Sequence, residues 1–323
     1  MTKAIRIHRT GGPEVLEWEA VEVGDPGPGQ VCLKQHAAGL NFIDVYHRTG
    51  LYPQPLPFTP GVEGAGVVEA VGEGVGDVAV GDRVAYAGPI GGYAETRLID
   101  AERLVKLPDA IAFEQAAAMM LQGMTARMLL RSVHRVESGD TILVHAAAGG
   151  VGLILCQWAA ALGATVIGTV STREKADLAK AHGCTHPILY TEQDFVAEVE
   201  RITGGDKLGV VYDSVGRDTF LRSLDCLRPR GMLVSYGQSS GAVEPFSPNI
   251  LAAKGSLYLT RPTLFTYTAD RADLQESAAE LFAMVEAGKV AIEVKQRFPL
   301  ADAAEAHRAL EARETSGSTV LVV

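Results

Sequence analysis

Cysteine is scarce in this 323-residue sequence. The four residues, at positions 32, 156, 184 and 226, form no CxxC pair. Such spacing excludes a small disulfide-framed domain and a cysteine-quartet metal knuckle, and it fits buried or incidental thiols in a reducing compartment. No uninterrupted apolar run reaches the roughly 18 residues that a spanning helix needs. The run Leu153–Leu162 is shorter and reads as a buried helix. The opening MTKAIRIHRTGG lacks the apolar core of a secretory signal, so a cytoplasmic location is expected and no membrane partner is. Positive charge is also short: 29 Lys and Arg against 39 Asp and Glu leave a net charge of −10. That balance argues against a nucleic-acid partner, which normally needs a basic face, while leaving room for a local basic pocket for a phosphate. None of the eight histidines stands in HxxH or HExxH spacing.

What is present is an ordinary globular composition, 47% hydrophobic and 21% charged, with length for about two domains. Residues 1–120 read as short strands between turns (Ala4–His8, Val31–Ala37, Gly64–Val71, Arg83–Tyr86, Tyr93–Ile99) with one short helix at Asn41–Thr49. Ala112–Arg131 is Ala-, Leu- and Met-rich and is predicted as one long helix. From Thr141 to Thr260 apolar strands alternate with helices, the last of the helices over Phe220–Leu227. This pattern predicts an α/β fold: a Rossmann, doubly wound parallel sheet of six strands beside a mostly β domain. The tail, with helices at Asp273–Ala287 and Ala301–Glu314 and a strand at Ser318–Val323, is expected to complete the first domain. The expected boundaries are 1–123 with 264–323 for that domain, and 124–263 for the Rossmann domain.

One loop carries the strongest chemical signal. Strand Thr141–Ala146 runs into Ala146-Ala147-Ala148-Gly149-Gly150-Val151-Gly152 and then into helix, an AxxGxxG form of the dinucleotide fingerprint. Small residues allow a tight turn and close approach of backbone to a pyrophosphate, and the helix N-terminus supplies N–H donors and a positive dipole. The next strand ends at Val170 and is followed by Ser171-Thr172-Arg173-Glu174-Lys175, with no acid at its tip. A carboxylate there would favour NADH through the ribose hydroxyl, whereas hydroxyls and a cation suit a 2′-phosphate. Ser171 and Lys175 are the candidates, with Arg173 as a further one, and NADPH is the expected cofactor.

The run Pro57–Val68 (PFTPGVEGAGVV) resembles the N-terminal signature of the medium-chain dehydrogenase/reductase superfamily. Its zinc alcohol dehydrogenases carry His where this chain has Val62 and Cys where it has Asn41, and they hold a structural zinc on a cysteine quartet absent here. Zinc needs three or four converging N, S or O ligands, and valine is none of these. No metal is therefore expected. The segments Asn41–Tyr46, Thr49–Pro53, His145–Gly152, Val211–Gly216 and Gly237–Gly241 are similar to the quinone oxidoreductases related to zeta-crystallin, over essentially the whole chain. The resemblance implies a GroES-like catalytic domain, an NADPH:quinone oxidoreductase activity with a quinone-like substrate bound between the domains, and a homodimer joined through the edge strand at Gly255–Pro262. It also implies that Asn41 and Thr125 lie beside the cofactor, with Tyr190, Ser214, Gly237, Gln238 and Arg313 as further contacts.

A quinone is already electrophilic, so a hydrogen-bond donor can stand in for a Lewis acid. Tyr46 and Tyr52 are the candidate donors or stacking walls; each could instead be a buried aromatic whose hydroxyl meets the backbone. Asn41 and Asp44, a helical turn apart, are candidates for positioning ribose or substrate, with a plain helix or ion-pair role as the alternative for Asp44. Two rival functions stay open at the level of sequence: an NADPH-dependent reductase of activated C=C bonds, and an NADPH-binding structural or RNA-associating protein.

Overall fold

The computed structural model describes residues 2–323. β1 (Thr2–Arg6) and β2 (Glu17–Val21) form an antiparallel pair. β3 (Gln30–Leu40) leads into α1 (Phe42–Thr49); β4 (Glu63–Val71), β5 (Arg83–Ala87), β6 (Thr96–Asp100) and β7 (Val105–Lys106) follow. The helices α2 (Phe113–Ala117) and α3 (Met120–Arg127) come next, extended by a π-helical stretch at Met128–Val133. Alternation then sets in: β8 (Thr141–Val144), α4 (Gly150–Ala161), β9 (Thr165–Val170), α5 (Arg173–Ala181), β10 (His186–Leu189), α6 (Phe195–Thr203) and β11 (Leu208–Asp213). It continues through α7 (Phe220–Ser223), β12 (Leu227–Ser235), α8 (Asn249–Ala253) and β13 (Tyr258–Thr260). The tail carries α9 (Leu264–Tyr267), α10 (Arg271–Glu286), β14 (Val294–Pro299), α11 (Ala303–Glu311) and β15 (Ser318–Val322).

These elements fall into two units. One comprises the chain up to Met124 with Thr268–Phe282 and Ile292–Val323; the other comprises Thr125–Tyr267 with Ala283–Ala291. The end of α10 thus clusters with the second unit, although the sequence suggests one continuous return segment.

In the second unit six parallel strands are ordered β10-β9-β8-β11-β12-β13. The chain starts in the middle, winds outward one way, and crosses back between β8 and β11. That reversal point is where a doubly wound sheet opens beyond its strand ends to hold ligands. The strands are apolar on both faces because helices cover both; Leu143, Ile167, Val211 and Leu233 from four strands are fully buried with Phe195 and Val199 of α6.

In the first unit the sheet runs β14-β15-β3-β4-β5-β7, with β6 also on β3. β3 alternates buried and solvent-facing residues and then becomes buried throughout from Ala37 to Leu40. There it is flanked on both sides: β15 pairs Thr319 with Leu40, and β4 pairs Gly64 with Ala38. The last strand of the chain therefore brings Ser318 beside the start of α1.

The structure departs from the sequence reading in three places. The expected helix Ala112–Arg131 breaks after Ala117. The Ala118 amide is shared between the Glu114 and Gln115 carbonyls, Met119 N bonds to Ala116 O, and the Leu121 amide leaves the helical pattern to donate to Glu63 Oε2 at 2.8 Å. A buried acceptor outcompetes the regular ladder. Phe220–Leu227 is helical only through Ser223, closes with a 3₁₀ turn and enters β12 at Leu227. Strands β2, β7 and β14 gave no sequence signal, because β2 and β14 lack the buried alternating face that marks a strand and β7 has two residues.

Candidate functional site

The glycine turn forms as its composition requires. Ala146, φ 53°, adopts a left-handed conformation that costs a non-glycine residue energy, and its carbonyl accepts the Gly149 amide at 3.0 Å. Helix α4 then starts at Gly150 with Gly149 as an extended N-cap that has no side chain to offer the first-turn amides. A Cβ on Gly152 would lie 2.3 Å from the Ala146 carbonyl oxygen, so only glycine lets α4 pack this close to the turn. The result is an uncapped helix N-terminus of twelve residues behind a tight turn, a fitting seat for a pyrophosphate. Ala148 is buried, and Gly149, Gly150 and Val151 are half-buried around it.

A buried polar network holds the turn from beneath. His145, fully buried, meets Thr169 Oγ1 through Nδ1 and Ser223 Oγ through Nε2, both at 2.9 Å. Burial holds its imidazole below the usual range, against the opposing pull of Asp213. Asp213, at the end of β11, accepts the Val215 and Gly216 amides and the Thr219 hydroxyl at 2.8–3.0 Å. The ends of β8, β9 and β11 are thereby tied together where the sheet reverses.

Around this seat, the other expected cofactor residues of the second unit gather at strand ends. Ser171 follows β9, and Thr172 caps α5 by accepting the Lys175 amide. Tyr190 donates its amide to Val170 O, and Thr191 Oγ1 donates to Ser171 O. Arg173 pairs with Glu192 at 3.7 Å. Ser171, Thr172 and the first turn of α5 thus lie beside Tyr190 and Thr191 at the end of β10. Ser214 follows β11, and Gly237 and Gln238 follow β12; a Cβ on Gly237 would meet Ser214 O at 2.7 Å, so these two turns touch through backbone. Thr125 lies one turn past Gln122 on α3.

The first unit contributes a second cluster at the N-terminus of α1. Asn41 is extended and precedes the helix; its amide donates to Asp44 Oδ2 at 2.9 Å, while the Asp44 amide donates to the Asn41 carbonyl at 3.0 Å. Both ends of the Asn41 side chain are engaged, Nδ2 donating to Glu63 Oε1 at 2.6 Å and Oδ1 accepting from Gln122 Nε2 at 3.1 Å. Tyr93 donates to Asp44 at 2.9 Å and lies 3.3 Å from His307 Nε2; Arg48 donates to His307 Nδ1 at 3.0 Å and pairs with Glu311 at 2.8 Å. With the Arg48 proton at Nδ1, His307 carries its own at Nε2 and is neutral. Toward the helix end, the Tyr46 and Tyr52 rings meet edge to face at 5.2 Å, and Tyr52 N bonds to Tyr46 O. Gly50 (φ 82°) ends the helix and turns the chain back for this contact.

Desolvation dominates the acid–base character here. Burial raises the Asp44 carboxyl to about 7 despite the Asn41 amide, the Tyr93 hydroxyl and the nearby Gly61 amide, and Oδ1 is left without a well-formed hydrogen bond. Burial raises Glu63 to about 8, against the Asn41 and Leu121 donors and with added repulsion from Asp44. Burial lowers His47 to about 4 and, with Arg48 adding to it, His307 to about 3. Two carboxyls and two imidazoles are thus held close to neutrality in one small region.

The expected residues of α1 do not all sit alike. Asp44 is fully buried, with its carboxyl turned to the Asn41 amide and the Tyr93 hydroxyl. Arg313 is exposed just beyond α11, with φ 61°. Glu63, Gln122, Tyr93, Arg48 and His307 were not singled out from sequence. Glu63 left a signal, a lone acid inside the apolar run GVEGAGVV; His307 and Arg48 left none, lying 259 residues apart. Val62 is 1% exposed and offers no ligand atom, and Asn41 stands where the zinc enzymes carry a cysteine. Among the described residues one trio could hold a cation, His8, Glu17 and Glu19, on the surface of the first unit. The donor chemistry at position 62 does not fit a catalytic zinc.

A doubly wound sheet with an uncapped glycine turn, joined to a β-rich unit whose zinc-ligand position is a buried valine, defines a nicotinamide-dependent dehydrogenase/reductase of the medium-chain type. Residues 27–109 match the alcohol dehydrogenase GroES-like domain, and residues 150–283 match a family described as zinc-binding dehydrogenase, a description broader than the donor set found here. The chain is 54% identical to a quinone oxidoreductase of Pseudomonas aeruginosa, over the full length of both, and 49% identical to a 2-haloacrylate reductase of Burkholderia, covering 100% of this chain and 99% of the relative. The crystal structure of Escherichia coli quinone oxidoreductase complexed with NADPH superposes with a TM-score of 0.98 at 49% identity, covering 99% of this chain and 100% of that one. The chain belongs to the quinone oxidoreductase family of the zinc-independent medium-chain dehydrogenases/reductases.

Proposed function

We propose that this chain is an NADPH-dependent quinone reductase that works without zinc. The observation that carries the reading is the pairing of an intact dinucleotide turn at Ala146–Gly152 with valine at the position where the zinc enzymes hold a ligand. Bound at the turn, NADPH supplies the hydride. The amides at the start of α4 take the pyrophosphate, Ser171, Lys175 and Tyr190 take the 2′-phosphate, and Ser214, Gly237 and Gln238 line the path between them. Asn41 and Thr125 hold the nicotinamide end, Tyr46 and Tyr52 form the aromatic wall and hydroxyl donors for a flat acceptor, and Arg313 reaches a phosphate. Asp44 supports Asn41 and Tyr93 from within. The substrate is a small quinone-like molecule.

The full-length similarity to a 2-haloacrylate reductase favours one second reading, reduction of activated C=C bonds, which makes nearly the same demand on hydride geometry. β13 is the edge of its sheet, with Tyr258 exposed, and it is proposed to pair with its twin in a homodimer. No helix among the described residues is long and apolar enough to cross a membrane. All four cysteines are free and three are buried, in keeping with a cytoplasmic site. A panel of NADPH oxidation rates against benzoquinones, naphthoquinones, enones and 2-haloacrylates tests the function. Quinones as the fastest acceptors support it, and haloacrylates or enones faster by tenfold overturn it in favour of the second reading. Light scattering on a size-exclusion column tests the dimer, which a monomer mass would contradict.

A further inference from the structure

Glu63 is a fully buried carboxyl in a strand otherwise built of glycine, alanine and valine at this end. A buried carboxyl is costly unless it is well provided with partners, and three elements are shaped around this one. In β3, Gly39 makes room: a Cβ there would lie 2.3 Å from Glu63 Oε1 and 2.2 Å from Ala117 O. At the head of α3, the broken helix turns the Leu121 amide onto Oε2 at 2.8 Å. Before α1, Asn41 Nδ2 donates to Oε1 at 2.6 Å.

The last contact has a directional consequence. An asparagine amide is donor at one end and acceptor at the other, and a flip exchanges them. Glu63 holds the donor end of Asn41. Gln122 Nε2 holds the acceptor end, and Gln122 is itself oriented by Ser318 Oγ, which donates to its Oε1 at 2.7 Å. A flipped Asn41 would point no N–H at Glu63 Oε1 and would set its amide against that of Gln122. Glu63 and Gln122 engage opposite ends of this amide and together fix its orientation.

We propose that Glu63 is a positioning residue: through the Asn41 amide, and together with Gln122 and Ser318, it fixes which polar atom of Asn41 meets the cofactor or substrate. The proposal rests on the reading of Asn41 as a ligand-facing residue. It gives the buried acid a task beside position 62, where this chain has a valine and no ligand atom.

A double-mutant cycle tests it, with Glu63→Gln, Asn41→Ala and the combined variant. The readouts are the NADPH dissociation constant from cofactor fluorescence, kcat/KM with a benzoquinone, and the melting temperature. Asn41→Ala is expected to weaken NADPH binding and lower kcat/KM roughly 10- to 100-fold, the scale of a misplaced contact near the chemistry. Glu63→Gln keeps the shape but leaves one carbonyl oxygen for two donors, Asn41 Nδ2 and the Leu121 amide, and sets its new amide against one of them. It is expected to cost about tenfold in the wild-type background and less than about twofold once Asn41 is alanine. Equal losses in both backgrounds overturn the positioning role while leaving the reading of Asn41 intact. An Asn41→Ala variant with unchanged binding and turnover overturns that reading and this proposal with it. Should Glu63→Gln fail to fold, Gln122→Met replaces it in the cycle; it removes the donor to Oδ1 from another element and leaves Ser318 Oγ its 3.1 Å contact with Ala118 O. A loss that vanishes without Asn41 supports the proposal, and a loss that persists refutes it.

Discussion

Replacing Gly152 by alanine isolates the demand that the dinucleotide turn makes on sequence. The added Cβ would stand 2.3 Å from the Ala146 carbonyl oxygen and 2.9 Å from Ala147 Cα, against the roughly 3.3 Å that a carbon and an oxygen need. All the opposing atoms are backbone, so α4 must withdraw by about 1 Å or the turn must open. Overpacking of this kind costs about 1–3 kcal/mol. At about 2–4 °C per kcal/mol for units of this size, melting should fall by some 2–12 °C. The same withdrawal moves the first-turn amides away from the pyrophosphate, and losing one charge-assisted hydrogen bond, about 1.5–3 kcal/mol, weakens NADPH roughly 10- to 100-fold. Gly149→Ala is the control: its Cβ would stand 3.3 Å from the same oxygen, a contact relieved by a few tenths of an ångström. Its melting temperature should stay within about 2 °C of wild type. Thermal melts and fluorescence titration with NADPH read both effects. A Gly152→Ala protein that melts and binds as wild type, or a Gly149→Ala protein equally destabilised, would refute the reasoning.

Lys175→Ala should weaken NADPH by about tenfold and leave NADH nearly unchanged, since the lost interaction is with the 2′-phosphate; comparable losses for both cofactors in parallel titrations would remove the lysine from that role. Turnover should survive exhaustive dialysis against a chelator, because Val62 cannot ligate; a loss restored by zinc would contradict this. Gly39→Ala should lower the melting temperature by several degrees, the new Cβ having no room against Ala117 O and Glu63, and an unchanged melt would mean that this end of β3 yields. Stability should also depend on pH in a defined way. Between about pH 4.5 and 6.5 the fold keeps protons on Asp44 and Glu63 while the unfolded chain takes them on His47 and His307, so the four contributions nearly cancel. Above pH 6.5 only the carboxyls count, the folded state binds more protons, and stability declines until pH 8 is passed. Glu63→Gln should flatten the upper part of that decline in melts recorded against pH, and an unaltered slope would show that Glu63 does not titrate there.

The parts of the molecule visible in sequence are those whose physics is local. The turn Ala146–Gly152 is one contiguous strand–turn–helix segment, and the missing acid after Val170 is read from a single position, so both could be recognised without a structure. The alternation from Thr141 to Thr260 likewise announces a parallel sheet, because strands buried on both faces are apolar throughout. The cluster around Asn41 is different. Glu63, Gln122, Tyr93, His307 and Ser318 reach it through β3–β4 and β3–β15 pairing and through a broken helix, and nothing in the sequence fixes that pairing. The break after Ala117 falls in a stretch of excellent helix formers; propensity favours continuity, and the buried Glu63 carboxyl overrides it by capturing the Leu121 amide. Asp44 shows the same limit, since helical spacing placed it near Asn41 without telling which way its carboxylate turns.

The most direct test of the central claim is a single-turnover stopped-flow measurement: the chain, preloaded with NADPH in the presence of a chelator, is mixed with a benzoquinone and the nicotinamide absorbance is followed. Oxidation of one NADPH per site, at a rate that rises with quinone concentration and saturates, is the predicted result. No oxidation with any quinone, or oxidation that appears only after zinc is added, would contradict the account.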